Sequence, residues 1–149
     1  SQEQTHKRSG GKRSGSNFLT YVNIYMEAER INFINNLCDD LATVLLSLGG
    51  IFDVDRKERR LEEVNREVEN PALWDDPKRA QEIGKEQKLL EDLVGTFKRL
   101  TAGVADAKEL FNMAVEEGDE AGAQSIALEV EDYGRDVEKL EFKRMFNRP

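Results

Sequence analysis

Residues 111–126 read Phe111-Asn112-Met113-Ala114-Val115-Glu116-Glu117-Gly118-Asp119-Glu120-Ala121-Gly122-Ala123-Gln124-Ser125-Ile126. This stretch decides the fold. Gly118 can supply the left-handed residue that closes one helix, and Asp119 can cap the start of the next. So short a turn makes the two helices antiparallel neighbours. Upstream, Ile83, Leu90, Val94, Phe97, Thr101, Val104 and Phe111 fall mostly on a 3.5-residue repeat. Downstream, Ile126, Val130, Tyr133, Val137 and Leu140 repeat at 4, 3, 4, 3, which is a heptad seam. The pattern predicts helices from 77 to about 115 and from 120 to about 145, zipped into a long coiled-coil-like hairpin. At 1.5 Å per residue the first helix would span about 55–60 Å. Gly84, Gly95 and Gly103 interrupt it. Each costs about 1 kcal/mol against Ala, and a bend or break is expected near Gly103.

Working back from the hairpin, Asp76 stands before Pro77, an N-cap followed by proline at the first helical position. Trp74 precedes it and is expected to pack into the helix junction. A second helix is read from about 53 to 69, with Asp53 or Asp55 as its cap and Leu61, Val64 and Val68 as its apolar seam. Asn70-Pro71 ends it, because the residue before proline avoids the α region. A first helix is read from about 26 to 48, with Ile31, Ile34, Leu37, Leu41, Leu45 and Leu48 on one face. Gly49-Gly50 is expected to stop it.

Residues 1–16 are a Gly/Ser/basic stretch without periodicity, too polar to bury a core. Residues 17–25 either extend the first helix or form a short strand. The domain is therefore set at 26–149, with a flexible, disordered basic/polar tail over 1–25. The fold class is all-α: an elongated helical bundle built on the hairpin.

Charge narrows the partners. The chain carries −8 overall. Residues 1–25 hold Lys7, Arg8, Lys12 and Arg13 against Glu3, so the acidic excess lies in the body. Nucleic-acid binding needs Lys and Arg to release counterions from phosphates. Direct binding of nucleic acid by the body is disfavoured, and a basic protein is the better partner. No apolar run reaches the ~18 residues of a membrane span. Residues 18–25 are too short and polar for a signal core, so the expected location is the cytoplasm.

Catalytic and metal chemistry find little support. His6 is the only histidine and Cys38 the only cysteine. A metal site needs three or four converging ligands, and a cysteine nucleophile needs a base. Cys38 falls among the apolar positions of the first helix and reads as packing. Asp39-Asp40, Asp75-Asp76 and Glu116-Glu117 are adjacent pairs that point apart on a helix. Gly10-Gly11-Lys12-Arg13-Ser14 lacks the spacing and the preceding strand of a phosphate loop. No cofactor is implied.

Two clusters are better candidates for contact. The acidic turn, Glu116, Glu117, Asp119 and Glu120, is a candidate tip for a basic partner. The basic, apolar helix end, with Phe142, Lys143, Arg144 and Phe146, is a candidate interdomain seam. Its positive charge also suits a helix C-terminus.

Several segments together resemble one family. They are 53–65, Asp-Val-Asp-Arg-Lys-Glu-Arg-Arg-Leu-Glu-Glu-Val-Asn; 69–77, Glu-Asn-Pro-Ala-Leu-Trp-Asp-Asp-Pro; Arg79-Ala80-Gln81; Gly84-Lys85-Glu86; and Leu140 through Phe146. Their combination is similar to the first domain of the bacterial peptide chain release factor 2 family. The likeness covers about 51–147 well and the first helix loosely. Residues 1–25 have no counterpart, and Val44-Leu45-Leu46-Ser47-Leu48 is more apolar than the family pattern.

The resemblance implies a parent factor that reads UAA and UGA stop codons and promotes hydrolysis of peptidyl-tRNA. That activity uses Ser-Pro-Phe and Gly-Gly-Gln motifs in later domains, and neither motif occurs in these 149 residues. It further implies that this domain has no catalysis of its own. Its expected partners are the ribosome, at the large-subunit stalk-base protein, and the recycling GTPase release factor. The rival reading from the residues alone is a stand-alone coiled-coil adaptor that dimerises through its heptads.

Overall fold

The computed structural model describes the backbone of residues 2–146 and the side chains of residues 17–146. Four helices follow one another: α1 (Gln2–Ile51), α2 (Val54–Glu69), α3 (Pro77–Glu116) and α4 (Glu120–Phe146), with a 3-10 segment, Pro71–Asp75, between α2 and α3. The described residues contain no strand, as the apolar spacing requires. Two compact units divide the chain, Ser1–Asn36 and Leu37–Pro149.

The first unit is the leading part of α1. The helix does not start at residue 26 but runs from Gln2. Of the two readings of residues 17–25, helix is the one found. Every side chain from 17 to 30 is exposed, including Phe18, Tyr21 and Tyr25, and Asn35 Nδ2 donates to the Ile31 carbonyl one turn back at 3.1 Å.

In the second unit α3 is the spine. Its buried residues are Ile83, Leu90, Val94, Phe97, Leu100, Val104, Ala107, Phe111 and Ala114, a three-and-four spacing that keeps one stripe turned inward. One assigned position differs. Thr101 is exposed and Leu100 is buried. Both lie within one turn of Phe97 and Val104, and the side chain without a hydroxyl takes the dry side. The helix also passes Gly103 without the expected break.

The remainder of α1 runs antiparallel to α3. Cys38, Leu41, Leu45 and Leu48 are buried on its inner face, and Lys108 Nζ donates to Asp39 Oδ1 at 2.6 Å. Of the unusually apolar 44–48 stretch, Leu45 and Leu48 enter the core, whereas Leu46 stays out. Gly49-Gly50 does not end the helix, which continues to Ile51. The left-handed residue that turns the chain is Asp53, with φ 58°. Asp53 occupies the N-cap position of α2 without a side-chain cap bond. Its carboxylate faces Arg56 Nε at 2.8 Å instead. Phe52 is buried, and its ring lies 5.7 Å from that of Phe97, anchoring the corner on α3.

Helix α2 lies antiparallel along the first half of α3. Val64, Ile83 and Leu90 form a core cluster, with Leu61, Val68 and Leu73 packed against it. Polar contacts line the edges. Arg60 Nε and Nη2 donate to the two carboxylate oxygens of Glu86 at 2.6 and 3.0 Å, Lys98 pairs with Glu58 at 2.5 Å, and Gln87 Nε2 donates to Asn65 Oδ1 at 2.9 Å.

The connection between α2 and α3 corrects one expectation. Asn70 Oδ1 accepts from the Ala72 amide at 3.0 Å, and Asp76 Oδ1 accepts from the Arg79 amide at 3.2 Å. These caps set the chain direction as the sequence suggests. Trp74, however, does not pack into the junction. It is 66% exposed, and Leu73 packs against the cluster instead. The 3-10 segment offers one inward position, and its tight turn gives that position to leucine.

Candidate functional site

The turn between α3 and α4 is built by backbone chemistry. Gly118 adopts φ 72°, a conformation that costs a side-chain-bearing residue but not glycine. This lets the Asp119 amide reach back to the Ala114 carbonyl at 2.9 Å and the Gly118 amide to Val115 at 3.1 Å, so the last carbonyls of α3 are satisfied. Asp119 then caps α4, its Oδ1 accepting from the Gly122 amide at 2.9 Å.

The structure brings the four acidic candidates together at this turn. Glu116, Glu117, Asp119 and Glu120 are all exposed. Their electrostatic settings differ. Asp119 and Glu120 stand at a helix N-terminus, where negative charge is favoured; Glu116 and Glu117 stand at a C-terminus, where it is not. Met113, one turn earlier on α3, is also exposed and adds an apolar edge to the acidic surface.

The second candidate cluster lies at the far end of α4, about 40 Å along the helix at 1.5 Å per residue. Phe142, Lys143, Arg144 and Phe146 are all exposed. Phe142 and Phe146 meet edge to face with centroids 5.0 Å apart. The structure therefore pairs the two aromatic residues and sets the two cations between them in sequence, at the end where the helix dipole favours positive charge.

Between these ends, α4 is tied to α3. Arg99 Nη2 of α3 donates to Asp136 Oδ2 of α4 at 3.1 Å, while within α4 Tyr133 donates to Glu129 Oε1 at 2.8 Å. That bond, with some burial, pushes the Tyr133 hydroxyl pKa up. Burial likewise raises the Cys38 thiol above its ordinary range, which leaves it protonated and a poor nucleophile. Among the described residues, no three His, Cys, Asp or Glu side chains are grouped to hold a metal ion, and no helix is long and apolar enough to cross a membrane. Helix α4 thus has exposed acidic residues at its N-terminal end and exposed basic and aromatic residues at its C-terminal end.

Residues 57–149 match the PCRF domain. This chain belongs to the PCRF domain family. Among curated relatives, peptide chain release factor 2 of Acidovorax sp. (strain JS42) is 48% identical over 122 residues, which is 82% of this chain and 33% of the relative. That of Variovorax paradoxus (strain S110) is 46% identical over 124 residues, 83% of this chain and 34% of the relative. That of Neisseria gonorrhoeae (strain NCCP11945) is 47% identical over 124 residues, with the same coverage. The chain thus spans about a third of the length of these relatives. The PCRF match begins within α2 and takes in all of α3 and α4, so both candidate clusters lie inside the family domain.

Proposed function

We propose that this chain is the ribosome-docking domain of a translation termination factor of the release factor 2 type. The observation that carries this reading is the 46–48% identity to proteins of that name over more than four-fifths of the chain. In the parent factor, later domains would read UAA and UGA and promote hydrolysis of the peptidyl-tRNA ester. The PCRF domain contributes position and no catalytic group. It works in the cytoplasm, where the ribosome is.

The acidic turn at Glu116, Glu117, Asp119 and Glu120 is the contact surface in this reading. Its charge suits a basic protein of the large-subunit stalk base better than ribosomal RNA, whose phosphates it would repel. The recycling GTPase release factor would work beside it. A stiff two-helix hairpin suits the task, because a preformed surface does not have to be ordered on binding.

The test is the reading frame beyond Pro149 together with a release assay. The frame should encode Ser-Pro-Phe and Gly-Gly-Gln motifs, the full protein should release peptide at UAA and UGA, and the chain alone should release none. A frame without those motifs, combined with a concentration-dependent dimer of the chain in sedimentation, would favour the coiled-coil adaptor.

A further inference from the structure

The leading unit of the chain, Ser1–Asn36, presents an apolar face along α1. Phe18, Tyr21, Val22, Tyr25, Met26 and Phe33 are all exposed, by 41% to 74%. At about 100° per residue these positions fall within an arc of roughly 140°. Glu29 is exposed as well and lies at the middle of the same arc. Continued back along the helical backbone, the spacing brings positions 8, 11, 14 and 15 to the same side. In the sequence these are Arg8, Gly11, Ser14 and Gly15.

Charge and size select the occupant. A carboxylate in the middle of the face repels phosphate, so an anionic membrane or an RNA fits it poorly. Lys7, Arg8, Lys12 and Arg13 stand before the apolar stretch, and Glu27 and Glu29 stand after it. Such a segment is complementary to its own reverse. Antiparallel pairing of two copies about Thr20 sets Val22 beside position 18, Tyr25 beside Gly15 and Met26 beside Ser14. Large side chains thus meet small residues, which allow close approach. Glu29 comes beside Gly11, between Arg8 and Lys12. Aromatic side chains bury about 150–250 Å² each, so four at this exposure offer on the order of 500 Å². Val22 and Met26 add to it and bring the face near the ~800 Å² that each partner buries in a stable complex.

We infer that residues 7–33 of α1 form an antiparallel two-helix interface with a second copy of this chain. The two-fold axis passes beside Thr20, so each contact occurs twice. The interface lies outside the PCRF match, which begins at residue 57. Pairing through α1 is therefore separate from any contact the PCRF domain makes. The inference goes beyond the release-factor reading and does not depend on it.

The test is sedimentation equilibrium of the 149-residue chain over a range of concentrations. The wild type should be a reversible dimer. Phe18→Ala with Tyr25→Ala should raise the dissociation constant roughly a hundredfold, since each lost contact counts twice. The unfolding midpoint of the dilute monomer should stay unchanged, because both rings are exposed in it. Glu29→Lys should weaken the dimer about tenfold, and adding Arg8→Glu and Lys12→Glu should restore it. A monomer at every concentration overturns the inference and leaves the release-factor reading standing, because that reading rests on sequence identity. A dimer that survives the loss of both rings also overturns it, and points to the heptads of α3 and α4. A dimer indifferent to Glu29→Lys overturns the antiparallel pairing. So does a wild-type monomer that binds phosphatidylserine vesicles or ribosomal RNA through these residues in place of a second copy.

Discussion

Tyr133 lays its ring where a side chain on Gly103 would stand. A Cβ built at Gly103 would lie 2.5 Å from the Tyr133 hydroxyl oxygen and 2.6 Å from the carbon that bears it. The absent side chain in α3 is what lets α4 approach there. Gly95, on the same helix, has nothing within 4 Å of such an atom. The two glycines should therefore answer differently to alanine. Gly95→Ala should stabilise the domain by about 0.5–1 kcal/mol through helix propensity. Gly103→Ala should lose that gain to the collision and come out about 1–3 kcal/mol less favourable than it. Thermal unfolding of both variants, and of Gly103→Ala in a Tyr133→Ala background, is the check. Recovery of the propensity gain in the double variant is expected.

Asp53 holds the corner between α1 and α2 in the left-handed region, with φ 58° and ψ 46°. Its ion pair with Arg56 is largely exposed and stabilises little. Asp53→Gly should thus stabilise by about 0.5–1 kcal/mol, and Asp53→Ala should destabilise by about 1 kcal/mol. Urea-unfolding midpoints distinguish the two signs.

The Arg60–Glu86 fork joins α2 to α3. The bonds from Arg60 hold the Glu86 carboxyl below its ordinary range. Its folded pKa is therefore lower than its unfolded one. The associated stabilisation is complete above the unfolded value and is lost as pH falls through the folded value. Stability measured on acidification should fall more steeply in the wild-type chain than in Glu86→Gln, and the two should converge at low pH. The difference will be small, because both side chains are more than a third exposed.

Trp74 and Ile83 make opposite demands despite their proximity in sequence. Ile83 is fully buried in the α2–α3 cluster, so Ile83→Ala should cost roughly 2–5 kcal/mol. Trp74→Ala should stay within about 0.5 kcal/mol of wild type. Native Trp74 fluorescence should accordingly be water-like and readily quenched by iodide.

Much of this architecture was legible in residue type and spacing. Pro77 after Asp76, and Gly118 before Asp119, placed the hairpin's helices within a residue of their observed ends. The errors share a cause: local signals are silent about what a neighbouring element needs. Gly49-Gly50 resembles a stop signal, yet α1 remains helical through it and turns only at Asp53. Gly103 resembles a break but accommodates Tyr133. Trp74 outranks Leu73 in apolar area, but the tight 3-10 segment turns leucine inward. The acidic turn was found from its own residues. A partner for it would be chosen by the shape and charge of another surface, which no pattern in these residues encodes.

The most direct measurement is co-sedimentation of the chain with ribosomes at low salt, wild type against Glu116→Lys with Glu117→Lys. Both residues sit at the C-terminal end of α3, so reversal should stabilise the fold, by roughly 0.3–1 kcal/mol per site. It should also weaken ribosome association about tenfold or more through lost charge complementarity. Lower affinity in a variant at least as stable as the wild type is the expected result. Equal affinity for wild type and variant at low salt would contradict docking through the acidic turn.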